Sequence, residues 1–318
     1  MNPPAAVPCR VKPQPVAQRG WSDFLAPRYW PGWAGIGLLW LLHRLPWPAQ
    51  RRIGVGVGRL FRRLARGRVH VARTNIRLCF PDWPAERVEA LVRDHFDALG
   101  IGLMELNICL WGADRRVTAP LWEVTGVEHL ERARREGRGV LLLTGHFTTM
   151  EMASATLAGR ARIGGMYRPL KNPLFDWLLY SRRAARTTVM IEREDLRGMI
   201  RCLRAGAAVW YGFDQNYGGS KSVFVDFFAM SACTIATTSR LARMGDALVI
   251  PYFPCRLPDG RYRLRVQPPL EGFPGDDEHA DTRRLNQILE RAVLECPEQY
   301  LWIHRRFKTR PPGEPGVY

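Results

Sequence analysis

Gly139-Val-Leu-Leu-Leu-Thr-Gly-His-Phe-Thr-Thr-Met-Glu151 decides the fold class. Its opening run, residues 139–144, carries no charge and reads as a strand buried on both faces. A glycine turn follows, and it places His146 at the carboxyl end of that strand, the rim at which open α/β sheets hold their ligands. His146 and Glu151 are five positions apart, about 140° on a continuous helix. The histidine is therefore expected in the loop, with Glu151 in the first turn of the next helix pointing back at it.

Such a pair has a chemistry. A carboxylate that accepts a hydrogen bond from one imidazole nitrogen fixes the tautomer and supports the imidazolium formed when the other nitrogen takes a proton. His146 would then be a general base, with Glu151 as its partner. The same residues allow a blander reading, since Thr148-Thr-Met-Glu151 is also a capping box in which Glu151 reaches back to the backbone of Thr148.

Working outward, short apolar runs at 163–167, 187–191, 207–213, 247–253 and 262–267 alternate with helix-like stretches at 150–159, 172–184, 195–205 and 234–244. That alternation predicts an α/β fold, a mixed and mostly parallel sheet flanked by helices. Arg168 and Asp214 each follow a predicted strand, which sets them on the same rim as His146. An arginine fork at that rim suits a phosphate. A salt-bridged surface arginine and a loop-stabilising aspartate are the alternatives.

The N-terminal region has another texture. Residues 1–28 read as a flexible tail, 29–66 as a membrane-associating helical segment, and 67–318 as the main domain. The apolar stretch at 30–42 is shorter than the ~20 residues of a spanning helix. Residues 49–66 interleave Ile53, Val57, Leu60, Phe61 and Leu64 with Arg52, Arg59, Arg62, Arg63 and Arg66, the pattern of a basic amphipathic helix. A surface helix with a solvated face shares that pattern.

Lys and Arg outnumber Asp and Glu by 47 to 30, a net charge of +17 that attracts anionic partners. Eleven Trp, several beside N-terminal arginines, favour a membrane interface over nucleic acid, for which no binding motif is visible. The seven cysteines are scattered without metal spacing, which fits a reducing compartment and assigns none of them chemistry.

Further motifs carry a resemblance. Tyr167-Arg-Pro-Leu-Lys-Asn-Pro173, Arg193-Glu-Asp-Leu-Arg-Gly-Met-Ile200, Asp214-Gln-Asn-Tyr-Gly218, Ser222-Val-Phe-Val-Asp-Phe-Phe228 and the segment from Pro297 to Pro311, together with the His146 to Glu151 spacing, resemble the lipid A secondary acyltransferases. Arg73-Thr-Asn-Ile-Arg-Leu-Cys-Phe-Pro81 extends the likeness toward the N-terminus. Asp226 departs from the pattern, where proline is expected. The resemblance implies a glycerol-phosphate-acyltransferase-like fold on the cytoplasmic face of the bacterial inner membrane. It also implies transfer of an acyl chain from acyl carrier protein to a hydroxyl of an anionic glycolipid.

No metal or diffusible cofactor is implied beyond the phosphopantetheine arm of the donor. His146 and Glu151 would be catalytic. Arg168, Arg183, Asp214 and Lys221 would meet substrate, with Arg182 an equal candidate beside Arg183, and the run from His304 to Arg310 open to anionic substrate or carrier. Two rivals remain: a glycerophospholipid acyltransferase using the same pair, whose Pro-Glu-Gly-Thr segment is absent here, and a non-catalytic basic membrane-binding protein.

Overall fold

A computed structural model describes residues 9–111, 122–219 and 221–318. Four helices come first: α1 (Trp30–His43), α2 (Trp47–Leu64), α3 (Arg66–Cys79) and α4 (Ala85–Trp111). The α/β part then runs β1 (Trp122–Thr125), α5 (Val127–Arg135), β2 (Gly139–Thr144), α6 (Met150–Ala158), β3 (Ile163–Tyr167), α7 (Pro173–Ala184) and β4 (Met190–Glu192). It continues with α8 (Leu196–Arg204), β5 (Ala208–Gly212), β6 (Ser222–Phe227), β7 (Met230–Ile235), α9 (Thr237–Gly245), β8 (Ala247–Arg256), β9 (Tyr262–Val266) and α10 (Glu278–Glu295).

Seven strands form one sheet in the order β1-β9-β8-β2-β5-β3-β4. Only β8 and β9 pair antiparallel, so the sheet is mixed and mostly parallel, as its apolar runs predicted. All six residues of β2 are buried, because this strand lies centrally with helices on both faces. The sequence pattern indicates neither the short strand β1 and the separate β6–β7 hairpin nor helices α3, α4, α5 and α10.

The register of β2 against β5 brings two distant side chains together. The strands run parallel with Thr144 opposite Gly212, so two residues further along each chain His146 and Asp214 come level. Residues 299–301 brace the same turn: Thr148 N–H donates to the Gln299 carbonyl at 2.8 Å, and Leu301 N–H to the His146 carbonyl at 2.9 Å.

α4 supports this turn from the other side. Gly102 lies so close to it that a Cβ there would fall 2.5 Å from the Thr148 carbonyl oxygen. Along the same helix the buried His95 donates from Nδ1 to the Glu298 carbonyl at 2.9 Å. α2 packs on α4 through glycines, Gly54 and Gly58 against Gly100.

The N-terminal tail is not loose over its described part. Cys9 and Cys202 form a disulfide, Lys12 N–H donates to Asp195 at 2.9 Å, and Val16 packs against Tyr167 and Met190. The chain thus lies along α8 and the edge strand β4, where sequence texture suggested a flexible segment. The disulfide also departs from the expectation of free thiols in a reducing compartment; the other five cysteines are free and buried. Among the described residues no helix is long and apolar enough to cross a membrane. Trp30, Leu38, Trp40, Leu41, Leu60 and Leu64 of α1 and α2 nevertheless lie exposed.

Candidate active site

Asp214 is the carboxylate that holds His146. Its Oδ1 accepts the imidazole Nδ1–H at 2.5 Å and its Oδ2 the backbone N–H of the same residue at 3.0 Å. Asp214 is buried while the His146 side chain keeps 16% of its surface exposed, so the pair has a closed end and an open one. Burial alone would raise the Asp214 carboxyl, but the charge and two hydrogen bonds of His146, with Arg306 nearby, hold it below the usual carboxylate range. With Nδ1 engaged, Nε2 is the ring nitrogen left for chemistry.

The ring meets Trp210 edge-on, with centroids 5.9 Å apart. Beneath it lies Gly212, where a Cβ would approach the imidazole Cε1 to 2.8 Å, so a larger residue would displace the base. His304 stands on the far side of the Asp214 loop and accepts the Asn216 N–H through Nε2 at 3.1 Å. Burial pushes its pKa down to about 4 against the pull of Asp214, which keeps it neutral and an acceptor.

Glu151 makes neither of the two contacts its spacing suggested. It takes both ends of the Arg183 guanidinium, a short bond from Nη2 and one of 3.2 Å from Nε. Nor is there a capping box, since the Thr148 N–H is spent on Gln299 and the N-cap Thr149 makes no side-chain cap bond. The reason is positional: β5 brings a carboxylate level with His146, whereas the first turn of α6 faces the last turn of α7, where Arg183 sits. Arg182, the other candidate, lies over the Trp111 ring instead, 5.2 Å from its centroid.

His146, Glu151, Arg168 and Arg183 nevertheless line one cavity of about 290 Å³. Its depth is apolar, walled by Ala155, Ala158, Ile163, Met166, Met190 and Trp210. Arg168 stands exposed at its edge. Just behind it Tyr167 and the Leu170 N–H, the latter at 2.7 Å, bond to the buried Asp176 and pin the turn that carries the arginine. Lys221 does not reach this cavity and lines another.

The C-terminal basic run is largely structural. Arg306 is buried with Nη1 on the Cys233 carbonyl at 2.8 Å and Nη2 on Thr234 at 2.6 Å, and Arg310 donates to the Ser231 carbonyl at 2.7 Å. They tie the C-terminal segment to β7, and the Arg306 carbonyl accepts from Asn216 Nδ2 of the Asp214 loop at 3.2 Å. Trp210, Gly212 and the bracing role of residues 299–301 are site features the sequence did not show, and His304, expected to meet anionic substrate or carrier, instead supports the Asp214 loop; each acts through a neighbour distant in the chain. Among the described residues no cluster of His, Cys, Asp or Glu could hold a metal ion.

A histidine held by a buried carboxylate and opening onto a cavity with an apolar wall can exchange a proton beside a hydrocarbon chain, which fits an acyl-transfer enzyme. The chain matches the model of the bacterial lipid A biosynthesis acyltransferases over residues 18–309, and it belongs to that family. It is similar to the lipid A biosynthesis lauroyltransferase of Escherichia coli (strain K12), 41% identical over 93% of this chain and 97% of that one. The palmitoleoyltransferase and myristoyltransferase of lipid A biosynthesis from the same strain are 38% and 30% identical, each over 93% of this chain and over 97% and 93% of their own. A solved 1-acyl-sn-glycerophosphate acyltransferase of Thermotoga maritima aligns over 78% of this chain and 97% of that one at a TM-score of 0.38 and 14% identity, a likeness too remote to bear on the chemistry.

Proposed function

We propose that this acyltransferase moves a fatty acyl group from an acyl carrier protein thioester to a hydroxyl of a phosphorylated glucosamine lipid, a lipid A precursor. The observation that carries the reading is the His146–Asp214 pair at the mouth of an apolar cavity. His146 Nε2 takes the proton of the acceptor hydroxyl as its oxygen attacks the thioester carbonyl. Asp214 stabilises the imidazolium. The tetrahedral intermediate then collapses, the C–S bond breaks, and the carrier thiolate leaves with the proton from Nε2.

The acyl chain lies in the apolar cavity. Glu151 serves by holding the Arg183 fork at the cavity's polar end, where a preorganised cation offsets the negative charge that develops on the thioester oxygen. Arg168 meets the anionic headgroup. The exposed tryptophans and leucines of α1, beside the arginines of α2, fit the cytoplasmic face of the inner membrane, where indole rings and basic side chains settle together.

The test is direct transfer. Full-length protein is incubated with acyl-acyl carrier protein and either a phosphorylated glucosamine disaccharide lipid or a lysophospholipid, and products are weighed by mass spectrometry. One added acyl chain on the glycolipid, lost in His146→Ala, is the expected result. Transfer to the lysophospholipid alone would replace this reading with glycerophospholipid synthesis, and no transfer to either would end it.

A further inference from the structure

A second cavity, of about 480 Å³, opens on the other side of the sheet's carboxyl rim. The first cavity lies between the sheet and helices α6 and α7, whereas this one faces α8 and α9, through Leu196 and Thr237. The two share Met166, and Gly212 at the end of β5 lines the second cavity while lying against the His146 ring. A substrate could therefore have one end in each cavity and its reacting atoms at His146.

The second cavity carries Lys221 and Arg193 beside Glu194, whereas the first joins an apolar wall to Arg168, Arg183 and Arg186. The Lys221 side chain makes no ion pair or hydrogen bond among the described residues, and Arg193 meets only the exposed Glu194, at 3.4 Å. Arg168, on the turn after the neighbouring strand, is also without an ion pair among the described residues. Its charge and that of Arg193 both reach Tyr217 in the cavity wall. Gly218 and Gly219 follow at φ of +67° and +79°, a backbone that puts no side chain into the space. The amino end of α9, whose N-cap Ala236 offers no side-chain acceptor, opens there too.

We infer that this second cavity is a phosphate subsite, formed by Lys221, Arg193 and the Gly218–Gly219 turn, which anchors a phosphate-bearing part of one substrate while the reacting atoms sit at His146. A guanidinium fork and a lysine point charge beside unobstructed backbone suit a phosphate group. The inference rests on the acyl-transfer reading for its substrates, and that reading offers two sources of the group. One is the sugar phosphate of the acceptor lipid and the other the phosphodiester of the carrier arm.

The test needs no turnover. Glucosamine 1-phosphate and 4′-phosphopantetheine are titrated separately into full-length protein and followed by phosphorus NMR. The wild type, Lys221→Gln, Arg193→Gln, Lys221→Arg and His146→Ala are compared. One of the probes is expected to bind, about tenfold or more weakly in each Gln variant, with recovery in Lys221→Arg and no loss in His146→Ala. Binding of the sugar phosphate assigns the subsite to the acceptor, and binding of phosphopantetheine assigns it to the donor. If neither probe binds, or if the Gln variants bind like the wild type, the subsite does not exist. Absence of acyl transfer in the wild type would overturn the acyl-transfer reading yet leave this binding result legible.

Discussion

Asp214 holds His146 at two points, the ring through Nδ1 and the backbone through N–H, so a single carboxylate sets both the position and the tautomer of the imidazole. An amide in its place keeps the shape and loses the charge. Asp214→Asn is therefore expected to lower kcat by about two to four orders of magnitude, the range attributed to a positioned base. Steady-state rates with acyl-acyl carrier protein check this, and a variant as fast as the wild type would mean that His146 draws its basicity from elsewhere.

Glu151 and Arg183 act as a unit, which a double-mutant cycle can expose. Glu151→Gln frees Arg183 to swing from the cavity, and Arg183→Gln leaves Glu151 as an uncompensated carboxylate beside the reacting carbonyl. Each single change should cost about tenfold or more in kcat/KM, and the double variant should be no worse than the poorer single. Additive losses would show two separate roles, as would be the case if Glu151 worked through His146.

Sequence carried the fold class and half of the site, and the missing half has a common physical origin. β2 and His146 were legible because an uncharged run followed by glycine is a local signal. Asp214 was legible as a strand-end residue, but not as the partner of His146, since no local pattern shows that β2 and β5 are neighbours in register. Proximity in the chain favoured Glu151 for that place, and its true partner Arg183 lies a helix away. The same holds for Cys9 and Cys202, which pair across 193 positions, and for residues 299–301 under the turn that carries His146.

Acid should weaken the fold in a defined window. His95 is fully buried and His304 partly so, and desolvation lowers each to a pKa of about 4 from the ordinary 6.5. Between those values the unfolded chain binds protons that the native protein refuses, so stability is full above pH 6.5 and falls as the pH drops toward 4. Each histidine accounts for roughly 3 kcal/mol across the window. Asp214 titrates lower, and its contribution is lost only as the pH falls beneath the ordinary carboxylate range. Denaturant midpoints at a series of pH values should show the slope, and His95→Gln, which can still donate to the Glu298 carbonyl, should reduce it. An unchanged slope in that variant would place the titrating group elsewhere.

The seam between α2 and α4 predicts opposite signs for one substitution made at two places. Helix propensity alone makes Gly→Ala favourable by up to about 1 kcal/mol, since alanine loses less backbone freedom on folding. At Gly56, exposed on α2 with nothing within 4 Å of a new Cβ, that gain should appear as a small rise in Tm. At Gly100 the added methyl would fall 1.9 Å from the Gly54 carbonyl oxygen, and at Gly58 it would fall 2.0 Å from that of Phe96. Backbone cannot step aside as a side chain can, so the helices must separate, at a cost of about 1–3 kcal/mol or more. Because α4 also carries Gly102 against Thr148 and His95 against Glu298, the displacement should reach the turn that presents His146. Gly100→Ala is thus expected to lower both Tm and kcat, while Gly56→Ala raises Tm and leaves the rate alone. Equal melting shifts in the two variants would show that this glycine contact does not hold the helices together.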